Sequence, residues 1–187
     1  IGVETPTGVL AAQVFGEGGT VEQVRVSMGR PRFAPEEIPV AVEAEPPVKD
    51  LPLDVEGRRL GVTCLSMGNP HAVYFSARPV AEFPLEQIGP KVEHHPLFPQ
   101  RVNFEVARVL SRDLMEARVW ERGAGATLAC GSGACAAVVA ARLHYFVDDR
   151  VDIKLPGGTL AVEWDGVGEA YLAGPAERVF VGEWKER

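Results

Sequence analysis

The residue with the clearest capacity for chemistry is Cys130, followed at once by Gly131-Ser132-Gly133 and an apolar run. The spacing predicts a helix over 131–145 that is hydrophobic almost all round and therefore buried, with Cys130 at its N-terminal end. The first turn of a helix leaves backbone N–H groups unpaired, and these amides together with the helix dipole attract anions. A cysteine so placed can have its pKa lowered from about 8.5 to roughly 3.5–7.5, which would make Cys130 a thiolate near neutral pH. The plainer alternative is a small buried hydrophobe, and that is the reading for Cys135, one turn further in. A thiolate beside anion-binding amides suits proton abstraction next to a carboxylate, with Cys130 as base and the amides of Gly131 and Ser132 aimed where charge develops. Glu121 and Arg122, shortly upstream, offer one anion and one cation for a second, amino-acid-like end. A competing reading is a hydrolase with Cys130 as nucleophile, His71 as base and the glycine turn as oxyanion hole.

These residues need elements to hold them. Val119 and Trp120 look like the end of a strand that carries Glu121 and Arg122 at its tip, with a flexible glycine turn at 123–125 behind it. Adjacent strand residues point to opposite faces, so mutual pairing of Glu121 and Arg122 is awkward. Asn103 lies on an otherwise apolar strand and needs a partner when buried, which a ligand would provide. In chain order, short β-rich runs fall at 9–15 and 21–28, the second alternating as a half-buried strand does. A break follows at 31–35, and then an acidic stretch at 43–52 in which Pro46-Pro47 forbids a regular helix. A buried strand at 60–67 delivers Gly68-Asn69-Pro70-His71, and the strand resumes at 72–75. A short helix at 79–88 stops at Gly89-Pro90. A hairpin joins 102–110 to 114–120, and a second pair joins 151–155 to 159–164 across Pro156-Gly157-Gly158. Runs at 169–174 and 178–181 close the chain. Many short strands and one long buried helix make an α+β fold in which a mixed sheet wraps around the helix.

With 46% hydrophobic and 24% charged residues, the composition is that of an ordinary globular chain. A net charge of −7 leaves no basic stripe for nucleic acid, and no run of about 18 apolar residues spans a membrane. No signal peptide is expected from the opening residues. Three cysteines form no disulfide framework and suit a reducing, cytoplasmic setting. No metal site is expected, because Cys130 and Cys135 lack a second spaced ligand pair and His94-His95 lies in a polar loop. Gly131-Ser132-Gly133 has no lysine after it and is not a phosphate loop.

The run Glu-Arg-Gly-Ala-Gly at 121–125, followed by Ala-Cys-Gly-Ser-Gly-Ala-Cys at 129–135, resembles the diaminopimelate epimerase family. Gly-Asn-Pro-His at 68–71, Arg-Val-Asn-Phe at 101–104 and the closing Leu-Pro-Gly-Gly and Ala-Gly-Pro-Ala extend the likeness over nearly the whole chain. The resemblance implies two pseudo-symmetric domains, each a mixed sheet or barrel around a central helix, with substrate in the cleft between them. It implies a cofactor-independent enzyme that inverts one α-carbon of diaminopimelate, LL to meso, with one cysteine on each side of that carbon, in the making of lysine and peptidoglycan precursors. On this reading Cys130 is one acid/base residue, and His71 near the thiols and Glu121 complete the catalytic set. Gly131 and Ser132 bind the carboxylate at the reacting centre, while Asn69, Asn103, Glu121 and Arg122 hold the distal one. The partner is a small molecule, with a homodimer allowed and neither nucleic acid nor membrane involved. Two departures stand out: Ala126 occupies a place where the family usually has an acid, and its first Cys-Gly-Asn block is absent. The chain is therefore expected to be a C-terminal portion, inactive alone. Residues 1–33 and 175–187 would be remnant strands of the first domain, and 34–174 the second domain with its helix at 131–145. Alternatives are a proline or hydroxyproline racemase-like isomerase of the same fold, or an inactive amino-acid-binding module.

Overall fold

The computed structural model describes residues 1–5, 8–18 and 20–183. Eleven strands form one continuous path: β1 (Gly2–Thr5), β2 (Gly8–Phe15), β3 (Gln23–Ser27), β12 (Tyr171–Pro175), β11 (Gly158–Glu163), β10 (Arg150–Leu155), β8 (Leu114–Glu121), β7 (Asn103–Ser111), β6 (Pro70–Phe75), β5 (Arg58–Ser66) and β4 (Leu51–Val55). The short β9 (Gly125–Thr127) folds back onto β8. The sheet is mixed, antiparallel except where β10 meets β8 and β6 meets β7. The α+β architecture expected from the sequence is the one observed.

Helix α2 (Gly131–Leu143) lies inside the curl of the sheet and packs against β5, β6, β7, β8, β10, β11 and β12. Its residues from Gly133 to Ala141 are all buried. The alanines at 134, 136, 137, 140 and 141 keep the helix thin enough for strands to close around it, with Leu65, Val73, Met115, Val119, Ile153 and Val162 filling the space between. Helix α1 (Leu85–Glu93) covers the opposite face, where Leu53, Val62, Phe104 and Val106 form a second apolar cluster with Ile38 and Val48. Strands β5 to β8 feed both clusters by their period-two alternation.

Three elements differ from the sequence expectations. The helix expected at 79–88 is a 3-10 turn at Val80–Glu82 followed by α1, which runs on through Gly89 and Pro90. Proline removes one backbone donor, but burial of Leu85, Ile88 and Val92 holds the helix together past it. Strand β4 forms at the end of the acidic, proline-rich stretch, with Pro52 on the edge of the sheet where a missing N–H costs little. No strand forms at 178–181.

Candidate active site

Cys130 is the N-cap of α2, in extended conformation (φ −137°, ψ 113°), and its Sγ accepts the Gly133 N–H at 3.4 Å. Ser132 Oγ lies 3.5 Å from the same sulphur. The residue is only 8% exposed. Burial pushes the Cys130 thiol up, the Ser132 and Gly133 hydrogen bonds pull it back, and the charges of Glu105 and Glu121 add to the rise. The lowered pKa expected from the helix end is therefore corrected: the stabilising amide is in place, but desolvation outweighs it. Cys64 and Cys135 are pushed up to about 12, chiefly by burial. Cys64 belongs to the outer cluster, on the other face of the sheet from Cys130.

Parallel pairing of β6 with β7 sets His71 beside Asn103. His71 is fully buried, with Nδ1 2.7 Å from Glu105 Oε1 and Nε2 2.9 Å from Asn69 Oδ1. The Asn69 amide donates to Ser132 Oγ at 3.3 Å. A hydrogen-bonded chain thus runs from Glu105 through His71, Asn69 and Ser132 to the sulphur. Glu105 escaped the sequence reading, since a glutamate in an alternating strand reads as solvent-facing. The available signal was its spacing two residues from Asn103, which puts both on one face. It is wholly buried, its Oε2 has no partner among the described residues, and burial raises its pKa while the His71 charge and hydrogen bond draw it down.

The Glu121–Arg122 turn is pinned from two sides. Asn103 Oδ1 accepts the Arg122 N–H at 2.8 Å, and its amide donates to the Pro70 carbonyl at 2.9 Å. Each end of this buried side chain thus has a backbone partner, and Asn103 helps to shape the turn. Glu93, 3% exposed, accepts the Gly123 N–H at 2.9 Å and the Trp120 indole N–H at 2.7 Å. Glu121 accepts the Thr127 hydroxyl at 2.6 Å. Arg122 is exposed, donates to the Gln100 carbonyl at 3.0 Å, and has no carboxylate partner among the described residues. Glu121 and Arg122 do not pair with each other, as strand alternation requires. In α2, the Gly133 N–H goes to the sulphur and the Ala134 N–H to the Cys130 carbonyl, which leaves the Gly131 and Ser132 amides without partners among the described residues. Free helix-end amides, a sulphur with one amide donor and a hydroxyl beside it, and a guanidinium nearby are groups that can bind a zwitterion and move a proton. No helix is long and apolar enough to cross a membrane, and no group of three or more His, Cys, Asp or Glu could hold a metal, both among the described residues.

Known proteins resemble this chain along most of its length. The family model for diaminopimelate epimerase matches residues 63–179. Diaminopimelate epimerase 1 of Nostoc sp. is 50% identical over 183 residues, covering 97% of this chain and 64% of its own. Diaminopimelate epimerase of Acetivibrio thermocellus is 47% identical over 184 residues, covering 98% of this chain and 65% of its own. The chain thus spans just under two thirds of the length of these relatives. Among solved structures, a hydroxyproline epimerase from Agrobacterium vitis superposes with a TM-score of 0.62 at 13% identity, over 94% of this chain and 56% of its own. A probable proline racemase from Agrobacterium radiobacter gives 0.61 at 17%, over 94% and 57%. At such identities these two report the shared fold alone. Half-identical relatives and a family match across β5 to β12 leave one conclusion: the chain belongs to the diaminopimelate epimerase family.

Proposed function

We propose that this chain supplies one acid/base face of a cofactor-independent epimerase that inverts an α-carbon of diaminopimelate, LL to meso, for lysine and peptidoglycan precursor synthesis. In this reading the Cys130 thiolate takes the α-proton and becomes a thiol. The electron pair left on carbon is drawn into the adjacent carboxylate, which the Gly131 and Ser132 amides bind. A second thiol on the other face returns a proton, so configuration inverts and no redox change occurs. The observation that supports this most is the hydrogen-bonded chain that ends on Cys130 Sγ at the α2 N-terminus, because it gives the sulphur an amide donor and a neighbouring hydroxyl that a simple core cysteine would not have. Arg122, exposed and without a carboxylate of its own among the described residues, takes the distal carboxylate as a bidentate partner, with Glu121 facing the distal ammonium. In the whole protein we assign residues 34–174 to the second domain, and 1–33 with 175–187 to the first, of which 6–7, 19 and 184–187 lie outside the described residues. Three free thiols fit a reducing compartment, and we assign the cytoplasm.

The test follows α-deuterium incorporation and stereochemistry in deuterated water, using protein expressed from the complete reading frame and one diaminopimelate stereoisomer. Inversion is expected, with Cys130→Ala lowering it by at least 100-fold, the low end for a positioned acid/base group. Undiminished inversion in Cys130→Ala would overturn the assignment. Arg122→Ala should cost about 1.5–3 kcal/mol in kcat/KM, the range for a charged hydrogen bond. An unchanged value would favour a one-ended substrate such as proline.

A further inference from the structure

We propose that Glu105 is a positioning residue for Cys130: a proton shared between its carboxyl and the His71 ring sets the direction of the hydrogen bonds that reach the sulphur through Asn69 and Ser132. The inference rests on the reading of Cys130 as an acid/base group and names what controls it.

The direction of each bond follows from the one before it. Asn69 donates its amide to Ser132 Oγ, so its Oδ1 must accept from His71 Nε2, which therefore carries a hydrogen. A 2.7 Å approach of Nδ1 to Glu105 Oε1 also needs a proton between the two. The pair thus holds two protons, one on Nε2 and one shared. Having accepted from Asn69, the Ser132 hydroxyl keeps its own hydrogen free for the sulphur. A Cys130 thiolate then receives an O–H donor from Ser132 and an N–H donor from Gly133.

Removing the shared proton reverses the array. The remaining ring hydrogen turns to Nδ1 to face the carboxylate, and Nε2 becomes a lone pair. Asn69 must rotate its amide to donate to that lone pair, and its Oδ1 then takes the Ser132 hydrogen. The sulphur loses a donor and gains a neighbouring net anion. Burial opposes this state, because Glu105 is wholly enclosed and its Oε2 has no partner among the described residues, so an anion there would be poorly solvated. Other groups facing Cys130 leave the conclusion standing. Glu121 on β8 is held by Thr127, Cys135 on α2 stays a thiol, Cys64 on β5 belongs to the opposite face, and Met28 and Leu172 at Gly131 are apolar.

The experiment reads Cys130 directly. Iodoacetamide modification of each thiol is followed by peptide mass from neutral to alkaline pH in wild type, Glu105→Gln and Glu105→Leu. The glutamine amide can donate to Nδ1 as the acid O–H does, so Glu105→Gln should stay within about threefold of wild type near neutrality. Glu105→Leu offers no donor and should slow Cys130 roughly tenfold or more, the factor expected for one hydrogen bond to a charged group. Coincident profiles in the two variants, or two profiles identical to wild type, would overturn the proposal. Nitrogen-15 NMR of the His71 ring needs no variant: a protonated Nε2 at neutral pH is expected, and a ring protonated on Nδ1 alone would sink the idea. Deuterium exchange by Cys130→Ala tests the epimerase reading separately, so either can fail without the other.

Discussion

Cys130, Cys64 and Cys135 share a chemistry and differ in surroundings, and that difference sets their behaviour. All three are pushed up by burial, but among the described residues only Cys130 has a hydrogen-bond donor at its sulphur. Iodoacetamide at mildly alkaline pH should therefore modify Cys130 well before the other two, as peptide mapping would show; equal, slow labelling of all three would contradict the site. The other two thiols carry a pH signature. Each stays protonated to about 12 in the folded chain, against about 8.5 when unfolded. The folded state binds more protons across that window, so their contribution is fully present below about 8.5 and stability falls as pH rises toward 12. The slope is roughly 1–1.5 kcal/mol per pH unit for each thiol. Urea midpoints measured between neutral and alkaline pH should show it, and Cys64→Val should remove about half of it. An unaltered slope in that variant would place the titration elsewhere.

Among the elements, the start of α2 is where helix preference and packing disagree. Replacing Gly133 by Ala should help a helix by up to about 1 kcal/mol. The added Cβ would lie 3.0 Å from Glu105 Oε1, 3.1 Å from Val119 Cγ2 and 3.3 Å from Cys130 Sγ. Overpacking against fixed neighbours costs about 1–3 kcal/mol, so Gly133→Ala should lower the melting temperature and alter the Cys130 labelling rate; a stabilised variant with unchanged labelling would show that the walls yield. Helix α1 acts from the other face through Glu93. Glu93→Ala leaves the Gly123 N–H and Trp120 indole unpartnered and should cost about 1–3 kcal/mol, read as a lowered denaturant midpoint. The outline of these elements was legible in the sequence. The hairpin of β7 and β8 shows in its alternation, and α2 shows in its unbroken apolar run behind Gly131-Ser132-Gly133. Less legible was α1, because local rules stop a helix at Gly89-Pro90 and only tertiary burial carries it on. Gly89 itself is explained by the fold: a Cβ there would sit 2.6 Å from the Trp120 ring. Cys130, His71 and the 121–122 turn could be named from residue type and spacing, and Asn69 through the family resemblance carried by Gly-Asn-Pro-His. Glu105 could be placed on the strand face of Asn103 by its spacing, but its burial depends on α2 lying across β7, a long-range fact that no local pattern carries. Nor does any carry the sign of the Cys130 shift, which turns on how much protein covers the sulphur.

For the molecule as a whole, the open sheet curled around a thin helix leaves little room for change. Ala137 is wholly buried in α2, and Ala137→Leu should overpack the inner cluster by about 1–3 kcal/mol. A lower urea midpoint with an unchanged slope would show that the fold unravels as one unit. Because β7 serves two cores, its register is also a chemical choice. Phe104, among the largest fully buried side chains, faces the outer cluster, and Glu105 beside it faces the helix. A slip of one residue would exchange them, putting an acid among Ile38, Leu53 and Phe83 and an aromatic ring where His71 needs a carboxyl. The hairpin's irregularity lies at its far end, between Val109 and Ser111, where lengthening or shortening the chain leaves that alternation intact. A deletion there would be a change of loop length; the same deletion at residue 104 would rewrite the candidate active site without touching a single one of its residues.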